Sequence, residues 1–115
     1  MKALKIVEFI LARKAKDIVV LDLGEHSSLC DYFVICSAES SRQVDAIHQE
    51  TVKLCRKDKI NVRSHQYDES LRWILVDLFD VILHIFLQEA REFYNLAYLW
   101  NTAKKVRLPS SLKAK

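Results

Sequence analysis

The sequence predicts an α/β (α+β) fold, a single domain with a mixed β-sheet and helices packed on it. Two apolar runs, "RWILVDL" (72–78) and "VILHIFL" (81–87), lie two residues apart, the spacing of a tight antiparallel hairpin. A third run, "DYFVICS" (31–37), is apolar without clean alternation, which calls for cover on both faces and a place at the sheet centre. Stretches with helical periodicity lie before, between and after these runs. At 115 residues the chain is long enough for one hydrophobic core.

Taken in order, residues 3–14 set Ala3, Ile6, Val7, Ile10 and Leu11 on one helical face. "DIVVLDL" (17–23) is a short β-branched run suited to a buried strand. "GEHSSL" is a loop, with Gly24 where a turn needs it. From 41 to 57, Val44, Ile47, His48, Thr51, Leu54 and Cys55 recur at the spacing of an amphipathic helix. "INVRSH" (60–65) alternates and is expected as a half-exposed edge strand, which would allow a homodimer. After the hairpin, "QEAREFYNLAYLW" (88–100) returns to helical spacing. The expected order is α-β-β-α-β-β-β-α, with a domain over 1–103 and a basic, flexible tail over 104–115.

Half the residues are apolar and 29% are charged, a balance that favours a folded chain over disorder. No apolar run has the length of a membrane span, so no membrane partner is expected. The run after Lys5 is broken by Glu8 and Arg13 and lacks a signal-peptide pattern, so a cytoplasmic location is expected. Cys30, Cys36 and Cys55 are odd in number and form no CxxC pair; reduced, buried thiols are expected rather than a disulfide or a zinc site. Gly24 is the sole glycine, which excludes a Walker A loop and a dinucleotide fingerprint, both of which need several.

Net charge is +3, but unevenly placed. Residues 1–16 carry five basic and one acidic side chain, and 101–115 carry five basic and none acidic. The body between has eight basic and fourteen acidic residues. Such a body suits a basic protein partner, with the basic ends near nucleic acid; a solvated surface with a loose tail accounts for the same counts.

Strand, polar turn and helix at "DYFVICSAESSRQV" (31–44) resemble the way phosphate-binding enzymes are built. Ser40 and Gln43 nevertheless fit a capping box, the Ser40 hydroxyl accepting from the N–H of Gln43 and the Gln43 side chain reaching back to the N–H of Ser40. Arg42 leaves a weak anion contact open at that helix N-terminus. Asp31, Asp77 and Asp80 lie at strand ends, where carboxylates on neighbouring strands hold magnesium for nucleotidyl transfer. The pair one residue apart that this chemistry uses is missing, and Asp80 suits a hairpin tip. No catalytic residue, metal or cofactor is therefore assigned. His84 stands alone in a strand, and His26, His48 and His65 form no metal-ligand spacing with it. Trp73, at a strand start near Tyr67, Asp68 and Glu69, suits a protein interface or the core equally.

Four segments, "DIVVLDL", "SSLCDYFVICSAESSRQVDAI", "WILVDLFDVILHIF" and "REFYNLAYLW", together resemble the ribosomal silencing factor (Iojap-like) family, in order over about 17–100. The combination of Asp-Tyr-Phe, Ser-Ser-Arg-Gln, Trp-x-x-x-Asp and His-x-Phe is specific. The resemblance implies a nucleotidyltransferase-like topology without the catalytic carboxylates. It also implies binding to the large ribosomal subunit through ribosomal protein fourteen of that subunit, which blocks joining of the small subunit and represses translation; organelle members are linked to ribosome assembly. The chain departs from the family pattern at Ala38 and Phe79, where glycine is usual, and at Gln66-Tyr67, where Glu-Gly is usual. Phe79 should resist the positive φ that a glycine permits, so either the turn changes its backbone or Phe79 projects as an added contact. Charge, aromatic content and the family's motifs together point to Tyr67, Asp68, Glu69, Trp73, Asp77, Asp80, His84 and Tyr94 as the partner-binding surface, with peripheral rRNA contact through the basic ends. The alternatives are a residual magnesium-dependent nucleotidyltransferase and a small RNA-binding domain; the missing carboxylate pair speaks against the first, and the absence of a Gly-rich loop against the second.

Overall fold

The computed structural model describes residues 2–24, 30–67, 69–91 and 104–109, together with the backbone of 92–94. Helix α1 (Lys2–Leu11) leads into β1 (Lys16–Asp22) and β2 (Tyr32–Ala38), and α2 (Ser41–Lys57) follows. Then come β3 (Ser64–Tyr67), β4 (Trp73–Asp77), β5 (Val81–Leu87), α3 (Gln88–Tyr94) and β6 (Lys104–Lys105). The strands form one sheet in the order β3-β4-β5-β2-β1-β6. β2 and β5 pair in parallel, from Tyr32 opposite Val81 to Ala38 opposite Leu87, and the other neighbours are antiparallel. The sheet is therefore mixed, as expected, with "DYFVIC" at its centre.

Alternation along the strands separates two apolar layers. Val20, Val34, Cys36, Ile74, Val76, Leu83 and Ile85 face one way and pack with Ile6, Val7 and Ile10 of α1 and Val44 and Ile47 of α2. Each fully buried aliphatic chain of this kind contributes about 1.5–3 kcal/mol. On the other face Leu21, Ile35 and Phe86 pack with Ala90 of α3, and Phe33, Trp73 and Ile82 border them. Arg91 reaches from α3 to the Ser37 hydroxyl at 2.8 Å and to the Asp17 carbonyl, pinning the helix to the sheet.

Several expectations need correction. The residues 60–65 do not form a strand as a unit. Pairing starts at Ser64 opposite Asp77 and runs to Tyr67, while Ile60 and Val62 pack against the core from outside the ladder. Lys104–Lys105 pair with Leu21 and Asp22 as a sixth strand, and Val106 and Leu108 pack on the core, where the sequence offered only a basic tail. Helix α1 stops at Leu11, short of residue 14. The part of the C-terminal helix expected over 95–100 lies outside the described residues.

Among the described residues the left-handed positions are held by the lone glycine, at φ +44, and by five non-glycine residues: Lys14, Asp17, Lys59, Leu71 and Phe79. Two of these close helices. Ile60 N–H donates to the Cys55 carbonyl at 2.7 Å and Lys59 N–H to that of Arg56 at 3.3 Å, a Schellman motif with Lys59 where glycine is usual. Lys14 does the same for α1, with Ala15 N–H donating to Ile10 O at 3.2 Å. Phe79 keeps φ +75 rather than forcing a new turn backbone, and its ring projects, 45% exposed. The hairpin tip holds it there: Phe79 N–H donates to Asp77 Oδ1 at 2.9 Å, Leu78 N–H to Val81 O at 2.9 Å, and the Arg63 guanidinium lies 4.9 Å from the ring centre.

Candidate interaction surface

The sheet face opposite α1 and α2 carries a row of rings near the β4–β5 pair. Trp73 stands opposite Phe86 and diagonal to His84. Their planes are nearly parallel, with centroids 5.7 Å apart for Trp73–Phe86, 6.0 Å for Trp73–His84 and 6.1 Å for His84–Phe86. Phe33 meets His84 edge-on at 4.7 Å. Trp73 is half-buried, and its Nε1–H donates to His84 Nδ1 at 3.3 Å. That bond places the imidazole proton on Nε2, which is buried without an acceptor among the described residues. Burial pulls the His84 pKa down to about 4, so the ring is neutral near pH 7.

Asp77 lies four residues along the same strand face, about 13 Å from Trp73. Its carboxylate takes two hydrogen bonds from Arg63, at 2.9 and 3.1 Å, as well as the one from Phe79. Asp80 sits at the hairpin tip and is bound by Lys2 Nζ at 2.6 Å, which lowers its pKa. Asp31 shares this end of the sheet through its N–H to the Asp80 carbonyl at 2.8 Å. The Cys30 thiol beside them is pushed up by burial first, then by Asp77, Asp31 and Asp80. Two of the three carboxylates are thus held by cations of the chain itself.

The eight residues expected to form one surface are divided. Trp73, Asp77 and His84 share the face opposite α1 and α2. Tyr67, 64% exposed, pairs with Ile74 and so points to the α2 side, where its ring lies 6.4 Å from that of His48. Glu69 is exposed in the β3–β4 turn, and Asp80 is tied to α1. Asp68 and the side chain of Tyr94 lie outside the described residues. One pair went unnoticed in the sequence: His48 Nε2 and His65 Nδ1 are 2.9 Å apart across α2 and β3, which lowers the His48 pKa through burial and then through His65. Their seventeen-residue separation gives no local pattern to read.

The turn between β2 and α2 behaves as a cap, with one change. Ser40 is the N-cap and accepts from Gln43 N–H at 3.1 Å. The Gln43 carbonyl oxygen accepts from Glu39 N–H at 2.7 Å, not from Ser40, because its amide nitrogen is drawn to the Arg13 and Lys14 carbonyls at 3.1 and 3.0 Å. Gln43 thereby joins the start of α2 to the end of α1. Arg42 is exposed beside it. All three cysteines are free and buried as expected, with Cys36 raised to about 12 and Cys55 to about 11 by desolvation. No helix among the described residues is long and apolar enough to cross a membrane.

A sequence model of the family described as "Ribosomal silencing factor during starvation" matches residues 1–115. The chain belongs to the ribosomal silencing factor family. It is 40% identical over 91 residues to the ribosomal silencing factor RsfS of Bacillus subtilis, covering 79% of this chain and 77% of that one. It is 32% identical over 101 residues to the mouse protein named "Mitochondrial assembly of ribosomal large subunit protein 1", covering 83% of this chain and 43% of the relative. A crystal structure from Bacillus halodurans superposes with a TM-score of 0.81 at 33% identity, over 93% of this chain and 98% of that one. The face opposite α1 and α2 carries Trp73, Asp77, His84 and Phe86, the residues of this sequence's Trp-x-x-x-Asp and His-x-Phe patterns.

Proposed function

We propose that the chain is a non-catalytic ribosomal silencing factor. It docks on the large ribosomal subunit through that subunit's ribosomal protein fourteen, covers the surface needed for subunit joining, and so represses translation. A link to large-subunit assembly fits the same docking. The observation that carries the reading is the family match over 1–115, joined to a sheet face where a half-buried tryptophan stacks on His84 and Phe86 and a carboxylate, Asp77, stands further along the same strand. Aromatic anchors flanked by charge suit a protein partner, and an acidic body suits a basic one. On this reading Trp73 and Asp77 are central contacts and His84 positions the Trp73 ring; Tyr67, Glu69 and Asp80 are peripheral. Blocking needs only occupancy of a shared surface, so no residue is assigned to catalysis.

Sedimentation with purified large subunits tests it. The pure protein should co-migrate with them at moderate salt and reduce the yield of joined ribosomes when small subunits are added. The Trp73→Ala/Asp77→Ala double variant, shown folded by circular dichroism, should stay at the top of the gradient. Failure of the unaltered protein to co-migrate overturns the reading.

A further inference from the structure

We propose that the end of the molecule where α1 begins and α2 finishes is a binding surface for the phosphate backbone of structured RNA. The body of the chain is acidic, yet four of its eight basic side chains, Lys53, Arg56, Lys57 and Lys59, fall within seven residues that contain a single acid, Asp58. The fold adds Lys2 and Lys5 from α1, which line one groove with Lys57, Asp58 and Lys59. A second groove, bordered by Arg56 and Arg63, meets the first at Lys59 and Ile60. Asp80, Asp58 and Asp77 pair with Lys2, Lys5 and Arg63. Lys53, Arg56, Lys57 and Lys59 have no carboxylate partner among the described residues.

Folding does not ask for this arrangement. The dipole of α2 favours Arg56 and Lys57 in its last turn. The same rule disfavours Lys2 and Lys5 in the first turn of α1, where no acid stands. Lys53 and Lys57 are like charges at i and i+4. Lys59 occupies a φ of +59 that glycine would adopt without strain. At Lys2, Lys5, Lys53 and Lys59 a cation stands against local preference. The two grooves hold neither of the large exposed hydrophobics among the described residues, Tyr67 and Phe79, so the anchors of a protein interface are elsewhere. Clustered cations without a large exposed hydrophobic among them suit phosphate, which positions without reading sequence. The surface lies on the α1 and α2 side of the sheet, away from Trp73 and His84, so both can be engaged at once. It rests on the proposed function only in that a ribosome would supply the RNA.

Fluorescence anisotropy with a labelled RNA duplex of two helical turns tests it. With four cations engaged, affinity should fall about a hundredfold between roughly 50 and 200 mM salt. Arg56→Gln/Lys57→Gln should make the salt slope shallower by about two, and Lys59→Gly by about one. Lys59→Gly relieves backbone strain, so unfolding cannot account for its loss. Lys14→Gly relieves the same strain at the opposite end of the helical layer and should bind as the unaltered protein does. Absence of duplex binding at low salt, or slopes unchanged by these substitutions, overturns the proposal; tighter binding to phosphatidylserine vesicles than to the duplex also overturns it, in favour of a membrane surface. Trp73→Ala/Asp77→Ala should retain duplex binding. If the duplex binds and large subunits do not, the proposed function fails and the RNA surface stands; if subunits bind and the duplex does not, the reverse holds.

Discussion

His84 shows how a single side chain ties packing to pH. It is 4% exposed among Phe33, Trp73 and Phe86, and burial lowers its pKa to about 4 from an unfolded value of 6.5. Between those values the unfolded chain takes up a proton that the folded one refuses, so stability falls as pH drops from 6.5 towards 4. The loss at the lower end is about 3 kcal/mol. Urea midpoints should decline over that window, and the His84→Leu variant should show a shallower decline. Phe79 is a different case, a bulky residue held at φ +75. Left-handed non-glycine residues cost about 1–3 kcal/mol, most for β-branched ones. Phe79→Val should therefore be less stable than Phe79→Gly by about 1–2 kcal/mol in chemical denaturation. The cysteines offer a third check. Cys36 and Cys55, raised to about 12 and 11, should react with a thiol reagent only after denaturant opens the core.

At the scale of elements, the corner between β2 and α2 is fixed by two side chains of unequal reach. Ser40→Ala removes one cap bond and should cost about 1 kcal/mol. Gln43→Ala removes three bonds that join α2 to Glu39 and to the end of α1, and should cost more, about 2–3 kcal/mol, in the same denaturation assay. The sequence foretold a Ser-x-x-Gln cap but not the bridge, because Arg13 and Lys14 are brought near only by the crossing of the helices. Periodicity placed α2 at 41–57 and β5 at 81–87 without error, since both faces of each are settled by burial. It misplaced β3, whose strand residues are all exposed and so carry no apolar alternation. It also supplied no sign of β6, two lysines that pair only because β1 offers an edge. Of the residues the sequence grouped as one surface, Trp73, Asp77 and His84 lie on one face of the sheet and Tyr67, paired with Ile74, on the other, since successive positions in a ladder alternate between faces.

At the scale of the whole molecule, charge counted along the chain and charge arranged in space tell different stories. By sequence, Arg56, Lys57 and Lys59 belong to an acidic body and Lys2 and Lys5 to a basic end; in the fold they line connected grooves, with the aromatic face behind them across the sheet. Raising salt should therefore weaken RNA binding far more than docking through Trp73, a difference that parallel titrations of the two partners would measure. The parallel pairing of β2 with β5 has a further consequence, for synthesis. Ala38 meets Leu87 across the sheet centre, so every bond on one edge of β2 waits for residues made more than forty positions later. Until then this largely buried apolar strand has an open side, the situation that favours sticking to other chains. A fragment ending at residue 80 should accordingly aggregate where the full chain stays dispersed, as light scattering of the two at equal concentration would show. Completion of β5 is the moment at which a growing chain acquires its sheet centre.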